Sequence, residues 1–251
     1  MTIENIYDFL NEKFPVNTAV DYDNPGFLIG DKTADVKSAV LALDCTPSAV
    51  ETAINSNSNL IITHHPVIFK GLKSINKGDL AYTLIENGIS VISMHTNLDV
   101  GEGGVNDALC SALNLSRCET VIGYDSFPFR KGVLQEEMNS NDFAAFVGRK
   151  LDTAVKYVGE GKVKTVAVCS GSGSGFLYDA ISSGCDALVT SEVKHNLFIE
   201  AQQKGFTLID AGHFPTEDVI IEPLKELLEK EFPDVTFLTD HVSAIKVCVN
   251  I

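Results

Sequence analysis

The strongest constraint on the fold is a regular alternation of short β-branched runs with stretches of helical periodicity. The pattern extends through both halves of the chain and favours α/β layers built on largely parallel strands. Strands are predicted at 36–43, 59–63, 89–94, 164–169, 187–190, 207–210, 235–238 and 245–249. Helices are predicted in the N-terminal MTIENIYDFLNEKF, from Thr46 or Ser48 to Asn55, at 79–87, 104–113 and 175–183, and from Lys194 and Thr216.

One interruption of this pattern predicts a domain boundary. The turn-rich sequence GYDSFP at 123–128 breaks the alternation, and 251 residues suffice for two domains of moderate size. We therefore expect two α/β domains, residues 1–124 and 125–251. The pattern also allows the last strand to return to the first domain.

The charge balance restricts the partners. The chain has 34 acidic and 19 basic residues and a formal net charge of −15. Because such a surface repels phosphate backbones, nucleic-acid binding is not expected. A small anionic substrate remains compatible with this charge, since bound metal ions would reverse it locally.

The chain shows no pattern typical of export or membrane insertion. Its N-terminus resembles an amphipathic helix and not a signal peptide, and no apolar run approaches the ~20 residues that span a bilayer. The six cysteines lack CxxC spacing, which favours free thiols over a disulfide framework. A cytoplasmic protein is expected.

Histidines and carboxylates follow three of the predicted strands. His64 and His65 end the first, His95 and Asp99 follow the second, and the third leads into the sequence DAGHFPTE, in which Thr216 is a candidate N-cap that would place Glu217 in the first helical turn. Four of the chain's six histidines fall in these places. Since ligands bind beyond the carboxyl ends of parallel strands, a convergent site explains this placement better than scattered histidines with hydrogen-bond partners do.

The residue types at these strand ends indicate the metal chemistry. Imidazole with carboxylate suits Zn, Mn, Fe, Co or Ni, and no cysteine cluster supports a thiolate site. His64, His65 and His213 together with Asp99 and Glu217 are more ligands than one tetrahedral ion requires. A carboxylate can bridge two ions. We therefore predict two divalent metal ions per chain.

Six motifs are spread over nearly the whole chain. They are DNPGFLIG at 23–30, ITHHP at 62–66, HTNLD at 95–99 followed by GGVND, CSGSGSGF at 169–176, TSEVKHN at 190–196 and GHFPTE at 212–217. In their order and spacing they make the chain resemble the GTP cyclohydrolase I type 2 homologue family, also called the NIF-three-like family. The resemblance implies two interlinked α/β domains with mainly parallel central sheets, a dinuclear metal site and a toroidal homohexamer. It also implies the metal ligands His64, His65, Asp99, His213 and Glu217.

Other residues have two interpretations each. His95 is a candidate proton shuttle or a hydrogen-bonding residue, and Glu192 is a candidate catalytic residue. Lys194 and His195 are candidates for substrate binding. The glycine-rich run 171–175 is interpreted as a tight strand–helix turn rather than a phosphate loop, since it lacks GK[ST]. For Asp44, Cys45 and His241 a structural role is favoured. The segment 23–26 is interpreted as a turn, and Asp21 and Asp23 are alternatively candidates for the cleft.

Two functions from different classes follow. The first is a metal-dependent hydrolase acting on a nucleotide-like substrate, in which His95 or Glu192 moves protons; the family's name points to a cyclohydrolase. The alternative is a non-enzymatic, ring-forming protein that binds metal and interacts with other proteins. Metal-dependent turnover that disappears in His65→Ala discriminates between them.

Overall fold

The chain folds into two compact units, each built around its own β-sheet. The computed structural model describes residues 1–123 and 126–246. The first unit comprises Met1–Gly101 and the C-terminal segment that begins at Ile221, and the second unit comprises Glu102–Ile220. The polypeptide therefore passes from the first unit into the second and then returns.

The first unit contains a five-stranded sheet that is parallel apart from one edge strand. Its order is β1-β4-β3-β2-β11, and β1 alone runs antiparallel to its neighbour. Because β2, β3 and β4 are parallel neighbours, their carboxyl ends lie along one edge. The strands are β1 (Gly26–Ile29), β2 (Ser38–Ala42), β3 (Leu60–Thr63), β4 (Ser90–Ser93) and β11 (Thr236–Asp240).

The second unit contains a six-stranded mixed sheet. Its order is β5-β6-β8-β9-β10-β7; the three neighbours β8, β9 and β10 are parallel, and the flanking pairings are antiparallel. The parallel character that the sequence predicts therefore holds for the centre of this sheet and not for its sides. The strands are β5 (Ser116–Ile122), β6 (Pro128–Asn139), β7 (Lys156–Val158), β8 (Lys162–Val168), β9 (Ala187–Thr190) and β10 (Thr207–Asp210).

Helices follow most of the parallel strands. In α2 the predicted cap is present, since the Thr46 side chain accepts a hydrogen bond from the amide of Ala49, and a proline occupies the first turn. The helices are α1 (Ile3–Lys13), α2 (Pro47–Asn55), α3 (Leu80–Glu86), α4 (Thr96–Val100), α5 (Val105–Ala112), α6 (Ser140–Lys150), α7 (Leu177–Ser182), α8 (His195–Gln203), α9 (His213–Glu217) and α10 (Ile221–Glu231).

The predicted domain division at residues 124 and 125 does not coincide with these units. The strands on either side of 123–128, β5 and β6, pair with each other, so the turn-rich segment joins two strands of one sheet. The second unit begins earlier, at Glu102, and ends at Ile220. The return of the C-terminal segment places β11 beside β2 in the first unit.

The start of α9 corrects one local prediction. Gly212, with φ +84°, is the N-cap and the helix begins at His213, three residues before the predicted start. The Thr216 hydroxyl donates to the carbonyls of Gly212 and His213 instead of capping a helix. Glu217 is therefore the last residue of a short helix. The predicted strand at 245–249 extends beyond the described residues.

Each sheet is enclosed by apolar side chains. In the first unit β2, β3 and β4 contribute Val40, Ile61 and Val91 to one cluster with residues of α2 and α3. The second sheet carries one apolar cluster that includes Phe143 of α6 and another that includes Leu177 of α7. These cores hold the strands that carry the polar groups. Among the described residues, no helix is both long and apolar enough to cross a bilayer.

Candidate metal centre

The first unit brings three histidines together at the carboxyl edge of its sheet. His64 and His65 follow β3, and His95 follows the neighbouring β4. Each of the three offers one ring nitrogen, and these nitrogens lie within 4.8 Å of one another. The His64 and His65 ring centroids are 5.0 Å apart, and those of His64 and His95 are 5.2 Å apart. Parallel pairing of β3 with β4 is what makes these strand ends meet.

All three imidazoles are oriented through the same ring atom. Nδ1 of His64 lies 2.8 Å from the carbonyl oxygen of Met94, Nδ1 of His65 lies 2.7 Å from Asp44 Oδ1, and Nδ1 of His95 lies 2.7 Å from Asp23 Oδ1. In the neutral ring, an oxygen acceptor at Nδ1 places the proton on that nitrogen and leaves the lone pair on Nε2. Metal-ligating histidines in proteins are held in this way.

Asp23 is a strong acceptor for His95. Burial acts to raise the pKa of this carboxyl, but hydrogen bonds from His95 and Thr96 and the charge of His95 outweigh it and lower the pKa to about 2. Thr96 contributes both its amide, 3.1 Å from Oδ2, and its hydroxyl. The orientation of the His95 ring is therefore set by a carboxylate that stays ionised near neutrality.

Asp99 joins the same region from the last turn of α4. Its Oδ1 lies 3.7 Å from His64 Nε2, and both side chains are largely buried. This separation exceeds a hydrogen bond. Two ligand atoms that are each about 2.1 Å from one ion lie roughly 3–4 Å apart, so the observed spacing suits a shared ion.

The second unit positions His213 and Glu217 on one face of α9. His213 Nε2 lies 2.9 Å from Glu217 Oε2, as expected for residues four apart on a helix. Glu217 is buried while His213 is partly exposed. A buried carboxylate needs a compensating positive charge, and either a protonated histidine or a metal cation supplies it.

Glu192, in the segment that follows β9, contacts the other nitrogen of His213. Its Oε1 lies 2.9 Å from His213 Nδ1, while Oε2 accepts a hydrogen bond from the Ser172 hydroxyl. The Ser172 bond, followed by the His213 contact, lowers the pKa of Glu192. Glu192 adopts φ +53°, a left-handed conformation that is uncommon for a residue with a side chain. The His213 ring is thus held in the same manner as the three rings of the first unit.

The glycine-rich turn after β8 leaves space for Glu217. At Gly171, which has φ +56°, an added Cβ would lie 2.0 Å from Glu217 Oε1. The Gly171 carbonyl accepts hydrogen bonds from the amide and hydroxyl of Ser191, which fixes the turn. The run 171–175 therefore forms a tight strand–helix turn, as predicted, and accommodates a carboxylate.

The remaining candidates lie elsewhere in the two units. Lys194 and His195 are exposed at the start of α8. His241 pairs with Glu222 on the surface, in agreement with a structural role. Burial, together with the charge of Asp44, raises the pKa of the Cys45 thiol to about 12, which disfavours the thiolate that binds metals.

The sequence favours a structural role for Asp44 and does not predict its contact with His65. Asp44 follows β2, and β2 is the parallel neighbour of β3. Its carboxylate therefore reaches His65, which lies just beyond the end of β3. The signal available in the sequence was its position at a strand end, the same signal that identified the histidines. Strand order, which the sequence did not show, decides which strand ends are neighbours.

Fold and site define an α/β protein with histidine and carboxylate groups suited to hold a metal ion at the carboxyl ends of its parallel strands. The family described as Duf34/NIF3 (NGG1p interacting factor 3) matches residues 1–246, and the chain belongs to this family. The sequence resemblance and the predicted α/β class are thereby confirmed.

Individual relatives agree with this assignment. A Clostridium acetobutylicum protein named "GTP cyclohydrolase 1 type 2 homolog" is 29% identical over 91% of this chain and 90% of its own length. The crystal structure of the hypothetical protein SA1388 of Staphylococcus aureus superposes with a TM-score of 0.92 at 30% identity, covering 99% of both chains. A Bacillus cereus protein related to NIF3 has a TM-score of 0.91 at 23% identity over 100% of this chain and 99% of its own, which shows the shared fold.

Proposed function

We propose that the protein is a metal-dependent hydrolase acting on a nucleotide-like substrate. In this proposal His64, His65, Asp99, His213 and Glu217 hold two divalent ions drawn from Zn, Mn, Fe, Co and Ni. The observation that carries it is the shared orientation of the histidines, each with Nδ1 against an oxygen acceptor. The relatives' name, GTP cyclohydrolase 1 type 2 homolog, supports the choice of substrate class.

The nitrogen and oxygen atoms offered by these side chains suit a metal ion better than they suit a network of hydrogen bonds. Neutral imidazoles whose Nδ1 is the donor present only acceptor lone pairs at Nε2, and carboxylates are acceptors as well. The acceptor atoms of His64, His65 and Asp99, which lie close together in the first unit, repel each other unless a cation lies among them. Bound divalent ions would act as Lewis acids and lower the pKa of water from 15.7 toward about 7.

The surrounding residues have distinct roles in this proposal. Asp44 and the Met94 carbonyl fix the rings of His65 and His64, and Glu192 fixes that of His213. Glu192 is therefore proposed as a positioning residue rather than the proton carrier suggested by the sequence. His95, held by Asp23, is proposed to accept or deliver a proton at Nε2.

The test compares metal content and turnover in the same preparations. Wild type, Asp99→Asn, His95→Ala and the control His241→Ala are loaded with Mn, Fe, Zn or Co and assayed against a panel of nucleotides. Asp99→Asn is expected to lower metal affinity at least about tenfold, since it removes a negative ligand while keeping the volume. His95→Ala is expected to lower turnover with metal content nearly intact, and His241→Ala to change neither.

Two results would contradict this division of roles. If His95→Ala loses metal as fully as Asp99→Asn does, His95 is itself a ligand. If the wild type, fully loaded with each metal in turn, hydrolyses no nucleotide or phosphoester, the hydrolase proposal fails. The alternative of a ring-forming metal-binding and protein-interaction factor would then be favoured.

A further inference from the structure

An irregular basic loop follows directly after the two histidines at the end of β3, His64 and His65. Residues 66–78, called the lysine loop here, contain Lys70, Lys73 and Lys77 and no acidic residue, in a chain whose net charge is −15. The loop has neither helix nor strand, and every residue from Phe69 to Asp79 is exposed. Irregular loops of this length are uncommon in compact domains, and functional loops are one of the classes in which they occur.

The lysine loop is anchored beside the histidines of the first unit. The Phe69 ring lies edge-on to that of His95, with the centroids 6.1 Å apart. The Asn24 side-chain amide donates a 2.5 Å hydrogen bond to the Ile68 carbonyl, and its neighbour Asp23 holds His95. The turn that contains Asp23 and Asn24 thus holds both His95 and the start of the lysine loop. Lys70 directly follows Phe69, whose ring contacts that of His95.

The chemistry of the loop suits a phosphate-bearing molecule. Lysine ammonium groups bind phosphate oxygens as point charges, and none of these three forms an ion pair with a carboxylate of the described residues. Phe69 is 43% exposed, which leaves a flat apolar face for a planar ring. An acidic protein would otherwise repel an anionic substrate, and this loop offsets that repulsion next to the candidate site.

We infer that the lysine loop is the anion-recognition element of the site, with Lys70 and Lys73 binding a phosphate group of the substrate and Phe69 contacting its planar part. This inference rests on the proposed function, because it names the substrate-binding element of that same centre. It assigns specificity to residues that lie outside the set of proposed metal ligands.

Calorimetric titration of the metal-loaded protein with orthophosphate and with phenyl phosphate tests the inference. Lys70→Ala combined with Lys73→Ala is expected to weaken both ligands about tenfold or more, by loss of two charge-assisted contacts. Phe69→Ala is expected to weaken phenyl phosphate and to leave orthophosphate unchanged. The control Lys37→Ala removes an exposed lysine of the same unit and is expected to have no effect.

Equal binding by the double variant and the wild type, or an equal loss in Lys37→Ala, would overturn the inference. Metal analysis of the same samples distinguishes a failure of this inference from a failure of the proposed function. Lysine-dependent phosphate binding by a protein that retains no metal would refute the metal centre while supporting the loop. Full metal content with binding that ignores the lysines would refute the loop alone.

Exposed Leu72 and Ile75 provide one more test. If Leu72→Ser changes the association state in light scattering and the double lysine variant binds phosphate normally, the loop is an interface between copies. That combination would also overturn the inference.

Discussion

At the scale of single residues, the candidate site depends on the oxygens behind the histidines as much as on the histidines themselves. Asp44, Asp23 and Glu192 each face an Nδ1 atom, and a backbone carbonyl does so for His64. Such partners fix both the tautomer and the direction of the ring. A ligand set assigned from histidine and carboxylate positions alone therefore leaves out the oxygen acceptors that orient the rings.

Asp44→Asn tests this dependence at the partner of His65. The substitution keeps the volume and removes the charged acceptor, so we expect metal affinity to fall by about 10–100-fold with the thermal stability of the metal-free protein little changed. Competition with a chelator measures the affinity. Asp8→Asn, at an exposed position of α1, is the control. An Asp44→Asn variant that binds metal as tightly as Asp8→Asn would show that His65 does not need its carboxylate.

The sequence predicted the proposed ligands but not most of their partners. Strand ends are visible in sequence because an apolar run stops at polar residues, as at His64 and at His95. The contact of Asp44 with His65 depends on β2 lying beside β3, a long-range pairing that local pattern does not encode. Glu192 reaches His213 in a similar way, because β9 and β10 are neighbours.

At the scale of elements, the sequence predicts the four fully buried strands β3, β4, β9 and β10 closely and does not predict β1, β5, β6 and β7. The limits of β3, β4, β9 and β10 agree with prediction to within a residue, since their four positions are all buried and apolar runs mark them. In β5 nearly every residue is exposed, and its sequence SRCETVI has no clear alternation. Pairing with β6 decides its structure, which explains why the sequence predicts a boundary at 123–128 where the structure has two paired strands.

The turn after β8 provides a prediction at this scale. Gly171→Ala would place a Cβ in contact with the Glu217 carboxylate and would impose a positive φ on alanine, so we expect a destabilisation of about 2 kcal/mol or more together with weaker metal binding. Chemical denaturation and metal titration measure the two effects. Gly175→Ala is the matched control in the same run, because no atom lies within 4 Å of its added Cβ. Equal behaviour of the two variants would show that Gly171 is not required by Glu217.

At the scale of the whole molecule, the acidic surface bears on assembly. The family resemblance implies a homohexameric ring, and a chain of net charge −15 must bury apolar contacts to overcome its self-repulsion. We expect light scattering to give a hexamer at micromolar concentration. Added salt should favour it, because screening weakens the repulsion. A stable monomer under these conditions would contradict the expectation.

Metal stoichiometry tests the central claim most directly. Elemental analysis of the purified, metal-replete protein is expected to give close to two divalent ions per chain. His64→Ala and Glu217→Ala are each expected to lower that number while the fold persists, because the apolar cores hold the two sheets. At most one ion per chain in the wild type, or two ions retained in both variants, would contradict the account.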